Sequence, residues 1–142
     1  MKTILPKPNE IKRAWYLIDA KGKTLGRFAT EISKILQGKN HAYYSPQWDM
    51  GDYVIVVNAN DVVLTGNKEM DKQYNYHTQY PGGLKTLNVK TLREKNASKI
   101  IWLAVKRMLP KSRLASQLIK KLYVYNGPEH EQEAQKPVLL EL

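Results

Sequence analysis

WYLIDAKGKTLGRFATEISKILQGKNHAYYSPQWDMGDYVIVVN, residues 15–58, decides the fold of this 142-residue chain. Trp15–Asp19 (WYLID) is a short apolar run that reads as a strand. Lys21–Lys23, around Gly22, is a turn. Thr24 suits a helix N-cap, and Leu25–Gln37 follows as a helix. Leu25, Phe28, Ala29, Ile32, Ile35 and Leu36 share one face of it; Arg27, Thr30, Glu31 and Lys34 share the other. Gly38 stands where a left-handed residue would end the helix. Beyond a basic, aromatic loop, Tyr53–Asn58 (YVIVVN) is continuous, apolar and rich in β-branched residues. That is the pattern of a strand covered on both faces. A strand, an amphipathic helix and a doubly buried strand imply a right-handed βαβ crossover and a parallel sheet.

The rest of the chain is read outward from that unit. Asp61–Leu64 is short enough to be a strand or a helical turn, and Thr65–Lys68 is a turn. Lys72–His77 alternates as an edge strand would. Pro81-Gly82-Gly83 interrupts regular structure, and Val89–Arg93 is expected as a short helix. Ser98–Leu109 is apolar nearly all round and is expected to be a buried helix, with Lys106 and Arg107 emerging at its end. Pro110 stops it. Ser112 caps a helix over Arg113–Leu122, whose core face is Leu114, Ala115, Leu118, Ile119 and Leu122. Arg113, Gln117 and Lys120 line its other face, with Lys121 beside them. Tyr123–Asn126 reads as a strand, closed by Gly127-Pro128. The expected organisation is an N-terminal arm (1–14), an α/β domain (15–127) and an acidic tail (128–142).

Charge is distributed unevenly. Lys and Arg number 23 against 13 Asp and Glu, a formal charge of +10. Residues 1–121 carry net +13 and the remainder net −3. From Lys95 to Lys121 there are eight basic side chains and no acid. Apolar residues run through that segment at helical spacing, so it holds positive charge in fixed positions. Such a surface suits a polyanion of defined shape, and folded RNA fits best. The absence of cysteine excludes a disulfide framework, a thiolate zinc site and a cysteine nucleophile. No apolar run is long enough for a signal peptide or a membrane span, so a cytosolic protein is expected.

Four groups of residues bear on chemistry. Gly22-Lys23-Thr24 resembles the end of a phosphate-binding P-loop, but the glycine required five residues earlier is Leu17, inside a strand. A helix start flanked by Lys21, Lys23 and Arg27 is still suited to a single backbone phosphate of RNA. Asp49 and Asp52 offer a second reading, a metal-dependent enzyme acting on nucleic acid. Two acids three apart form a turn and cap before a strand equally well. His41, His77 and His130 lack metal-ligand spacing. Tyr43, Tyr44, Trp48, Tyr74, Tyr76 and Tyr80 cluster in the basic middle of the chain, where aromatic rings can stack on unpaired bases or simply fill the core. A membrane-surface role lacks its basic amphipathic helix with aromatic anchors.

Several segments also match a known family in order. They are Trp15-Tyr16-Leu17-Ile18-Asp19-Ala20 with GKTLGR (22–27), Asp49-Met50-Gly51-Asp52, LTGNK (64–68), YPGGLK (80–85) and VKRMLPK (105–111). Together they resemble the bacterial form of the large-subunit ribosomal protein thirteen family, across the whole chain. Two departures stand out: Ser112 and Ala115 in LPKSRLAS occupy places where glycine is usual, and so does Gln79. The resemblance implies a single three-layer α/β/α domain, a mainly parallel four-stranded sheet with helices on both faces. It implies a non-catalytic constituent of the large ribosomal subunit. Such a protein binds 23S ribosomal RNA, assembles early, touches neighbouring ribosomal proteins, needs no cofactor or metal and is not an independent homo-oligomer. The RNA-contacting groups expected are Lys21, Lys23 and Arg27 at the first helix start, with Lys39 and His41 after that helix. Lys68, Lys72 and Lys85 serve the middle loops. Lys106, Arg107, Lys111, Arg113, Lys120 and Lys121 form the main basic surface.

Overall fold

The computed structural model describes Lys7 and residues 10–142; most of the expected 1–14 arm lies outside them. The first strand, β1 (Trp15–Asp19), leads into helix α1 (Leu25–Gln37) and strand β2 (Tyr53–Val57). β1 and β2 pair in parallel, Trp15 opposite Tyr53 through Asp19 opposite Val57, as the opening βαβ reading requires. Gly38 ends α1 at φ 74°, its N–H donating to the carbonyls of Ile35 and Lys34.

The middle folds as an appendage. A 3-10 turn at Ala59–Asp61 is followed by the short helix α2 (Lys68–Asp71). Strands β3 (Gln73–His77) and β4 (Leu84–Asn88) then make an antiparallel hairpin of their own. The strand expected over Lys72–His77 is present, but it borders this hairpin and not the main sheet. YPGGLK forms the hairpin's turn, where the Thr78 N–H donates to Gly83 at 3.0 Å. Gln79 there adopts φ 72°. An L-residue pays roughly 1–2 kcal/mol in that left-handed region, and glycine recovers this less about 0.5–1 kcal/mol of chain entropy. Gln79→Gly is therefore expected to stabilise the protein by about 0.5–1 kcal/mol. Chemical denaturation measures it, and a lower midpoint would refute the expectation.

Helices α3 (Val89–Asn96) and α4 (Ser98–Met108) lead to Pro110, then α5 (Arg113–Leu118), a 3-10 turn at Ile119–Lys121 and strand β5 (Leu122–Val124). Ser112 caps α5 as expected, accepting from the Ala115 N–H at 3.4 Å. The chain then returns through a 3-10 turn at Glu133–Gln135 to strand β6 (Val138–Leu139). The sheet order is β5-β2-β1-β6, and every pairing is parallel. The expected four-stranded parallel sheet is there, with its fourth strand supplied by the acidic tail.

Direction of travel explains the layers. The steps β1 to β2 and β2 to β5 advance the same way across the sheet. Right-handed crossovers put α1 and α4 on one face, where they pack on each other. Ile18, Val54, Val56 and Leu122 point into that layer beside Phe28, Ile32 and Leu36 of α1 and Ile100, Ile101 and Val105 of α4. Each such large side chain contributes about 1.5–3 kcal/mol by leaving water. The return from β5 to β6 reverses direction, so the same rule sends it over the opposite face. There the Tyr125 hydroxyl meets Gln132 Oε1 at 2.8 Å. That face also carries a stack in which Trp15 lies 4.2 Å from Tyr53 and 5.7 Å from Tyr123.

Candidate nucleic-acid interface

The end of α4 gathers the cations. Apolar residues pin the helix down, so its last turn projects Lys106 and Arg107 in fixed directions, both exposed. Lys106 extends over the Trp102 ring, one helical turn back, at 4.7 Å. With Lys111 and Lys120 it lines a groove of about 470 Å³ between α4 and α5. Arg113 is exposed on the first turn of α5. Four of the six cations expected on the main basic surface thus surround the Pro110 corner and its groove, and Arg107 lies on the neighbouring side.

Arg107 points toward a second recess, of about 260 Å³, which it shares with Lys68, Lys72 and the start of α1. Arg107 Cζ and Lys72 Nζ each sit 5.5 Å from the Tyr74 ring centre. Burial, followed by the charges of Arg107 and Lys68, holds the Lys72 ammonium below the ordinary lysine range. The recess is kept in shape by Arg93. Its guanidinium grips both Glu69 carboxylate oxygens (2.9 and 3.1 Å) and donates to the Val62 carbonyl at 3.1 Å.

The remaining expected groups scatter. Lys21 and Arg27 are exposed near the start of α1, but Lys23 is half-buried and donates to the Leu142 carbonyl. Lys39 and Lys85 are exposed away from both recesses. His41 is half-buried, stacked on Tyr43 at 4.9 Å, with Nε2 2.9 Å from Asp52 Oδ2. Among the aromatics, Tyr74 is buried, while Tyr80 (76% exposed), Tyr76 (52%) and Trp48 (44%) face outward.

Lys121 is a correction. It is 6% exposed, with its ammonium between the Asp49 carboxylate and the Gly51 carbonyl, the latter at 2.8 Å. It does not belong to the exposed basic face. The helix expected to run to Leu122 tightens to 3-10 form at Ile119, and side chains three apart then eclipse. Lys121 therefore follows Leu118, 2% exposed, into the interior. The same contacts count against the metal-enzyme reading. The Asp49 carboxylate is also ion-paired with Arg13 at 3.5 Å, and buried Asp52 accepts the Ala14 N–H at 2.9 Å. Both carboxylates are committed to protein donors. Among the described residues no group of three His, Cys, Asp or Glu is placed to hold a metal ion, and no helix is long and apolar enough to cross a membrane.

Sequence reasoning missed Trp102 as a support for Lys106, although the i, i+4 spacing is plain in the sequence. It also missed Arg93, whose partners lie 24 and 31 residues away.

A family model described as ribosomal protein L13 matches residues 13–131. The chain belongs to the ribosomal protein L13 family. It is 58% identical to the large ribosomal subunit protein uL13 of Dictyoglomus thermophilum, over 96% of both chains. It is 55% identical to uL13 of Thermotoga maritima, over 99% of this chain and 95% of that one. With uL13 of Aquifex aeolicus the identity is 54%, over 100% and 99%. Within an L13 protein the two departures now have structural contexts. Ser112 serves as the α5 cap and Ala115 as the residue whose N–H it accepts. Gln79 occupies a backbone conformation that favours glycine.

Proposed function

We propose that this chain is a non-catalytic structural constituent of the large ribosomal subunit in the bacterial cytoplasm. It binds 23S ribosomal RNA and assists early assembly by neutralising and positioning RNA phosphates, beside neighbouring ribosomal proteins. The α/β body over 15–127 carries the RNA surface, and the acidic tail (128–142) packs onto it by adding β6 beside β1. The observation that carries this reading is the end of α4. Lys106, Arg107, Lys111, Arg113 and Lys120 stand exposed there, and none has an acidic partner among the described residues. Held this close, they repel one another unless phosphates lie between them. Lys21, Arg27, Lys39, Lys68, Lys72 and Lys85 extend the positive surface. The contacts are to phosphates and fix register, with little base readout.

The test is salt dependence. Each phosphate contact removed lowers the slope of log affinity against log salt by roughly 0.7–0.9. Lys106→Ala with Arg107→Ala is expected to flatten the slope for a 23S ribosomal RNA transcript by roughly one to two units. An unchanged slope would overturn the assignment of this corner.

A further inference from the structure

We propose that the groove between α4 and α5 receives one unpaired nucleotide of ribosomal RNA, its base against Trp102 and its flanking phosphates on Lys106, Lys111 and Lys120. The inference rests on the RNA reading above and deepens it, since phosphate contacts alone bring no base to the protein.

The groove exposes two kinds of surface. Leu109, Ala115 and Ile119 form an apolar floor beside Trp102, and the three lysines stand around the rim. Trp102, Ala115 and Ile119 pack against the core, so the floor is held in place. All three lysines are exposed, and none has an acidic partner among the described residues. The backbone of an RNA duplex is charged and gains nothing from an apolar floor. An unpaired nucleotide joins a stackable, largely apolar base directly to an anion, and so complements both the floor and the rim. The volume of about 470 Å³ falls among those of sites that enclose a small molecule, about 300–1,000 Å³.

Lys106 adds a positional argument. Its ammonium rests 4.7 Å from the Trp102 ring centre. A base on that ring face, with its phosphate beside it, exchanges this cation–π contact for a stack and an ion pair, and the lysine need only swing to the rim. The rival occupant is a segment of a neighbouring protein, and the groove suits it less. Both walls are helices, so an extended peptide finds no strand edge to join. A docked helix uses anchors from i to i+7, which span about 10 Å. The α5 wall is six residues long, roughly 9 Å. Stacking accepts any base, so the groove adds affinity and register with little sequence readout.

The experiment exploits a chain without cysteine. Ser116 is exposed and lines the groove, so Ser116→Cys places a unique thiol there. Its alkylation by a small maleimide is timed in the free full-length protein, with a 23S ribosomal RNA transcript, and in assembled large subunits. With the transcript at about ten times its Kd, alkylation is expected to slow roughly tenfold. Trp102→Leu is expected to weaken transcript binding roughly five- to tenfold, and Trp102→Phe, which keeps a ring, by no more than about twofold. Ser116→Leu fills the groove from its exposed side and should weaken binding as Trp102→Leu does, so the test stands even if Trp102→Leu fails to fold. Neither leucine variant removes a cation, so both should keep the wild-type salt slope. If the bound transcript leaves the thiol as reactive as in the free protein, the groove holds no nucleotide and the RNA reading survives. If the thiol is protected but both leucine variants bind like wild type, only backbone crosses the groove and the base assignment falls. Protection in large subunits without protection by the transcript would give the groove to a protein neighbour and overturn the proposal. A transcript that does not bind at any salt concentration overturns the RNA reading itself.

Discussion

Gly51→Ala is expected to destabilise the protein by about 3 kcal/mol or more, at the upper end of what overpacking costs. A Cβ at position 51 would fall well inside 3.0 Å of both the carbonyl carbon and the carbonyl oxygen of Leu36. Those are backbone atoms in the last turn of α1, and no rotamer change can move them aside. Leu36 itself is fully buried, so the helix has no room to retreat. The residues after Gly51 are equally fixed. Asp52 is held by the Ala14 N–H and His41, and Tyr53 begins β2. The effect should be read as a loss in denaturation midpoint with an unchanged m-value. Gly26→Ala is the control. Nothing lies within 4 Å of its added methyl, and alanine favours the helix, so its midpoint should hold or rise slightly. A Gly51→Ala protein as stable as wild type would show that α1 and the DMGD turn are not locked together.

What was readable in the sequence depended on how local the cause was. α1 and β2 announced themselves because their periodicities, 3.6 and an unbroken β-branched run, reflect burial that the whole element shares. α5 was readable from Ser112 because a cap is a contact three residues long. β4 was not, since Leu84–Asn88 is mostly exposed and its identity comes from pairing with β3. β6 is two residues in an acidic tail, and only the neighbouring edge of β1 makes them a strand. The candidate interface divided the same way. Lys106, Arg107 and Lys111 could be found from an acid-free stretch ending at a proline. The gathering of Lys68, Lys72 and Arg107 could not, because the first two lie at and just after α2 and the third at the end of α4, far apart in sequence.

The Asp49–Asp52 turn shows why charge pattern alone misleads. Two acids three apart were compatible with a metal site. Their donors, Arg13, Ala14, His41 and Lys121, lie on segments up to 72 residues away. The turn instead ties the start of β1, the loop after α1 and the 3-10 turn before β5 to one point.

Lys121→Met is the second large effect, on the order of 3 kcal/mol of lost stability, the lower part of the range for breaking a buried pair. The substitution strands the Asp49 carboxylate and the Gly51 carbonyl, both of which receive the ammonium. Asp49 keeps Arg13 at 3.5 Å and some contact with water, which holds the loss below the top of that range. The pair is not itself a net source of stability. Burial outweighs Asp49 and pulls the Lys121 ammonium below its ordinary value of 10.5. Replacing both partners, as Lys121→Met with Asp49→Leu, should therefore recover much of the loss, a sign opposite to simple additivity. The pH dependence has a definite direction. Between the lowered folded value and 10.5 the unfolded chain binds more protons at this lysine, so wild-type stability gains from it as pH rises through that window. The methionine variant lacks that gain, and its stability deficit should widen there. RNA binding supplies the contrast. With its ammonium turned inward, Lys121 is not available to phosphates, so the folded Lys121→Met protein should keep the wild-type salt slope while Lys106→Ala with Arg107→Ala flattens it. A slope that drops by roughly one unit in Lys121→Met, without loss of stability, would return this lysine to the RNA surface.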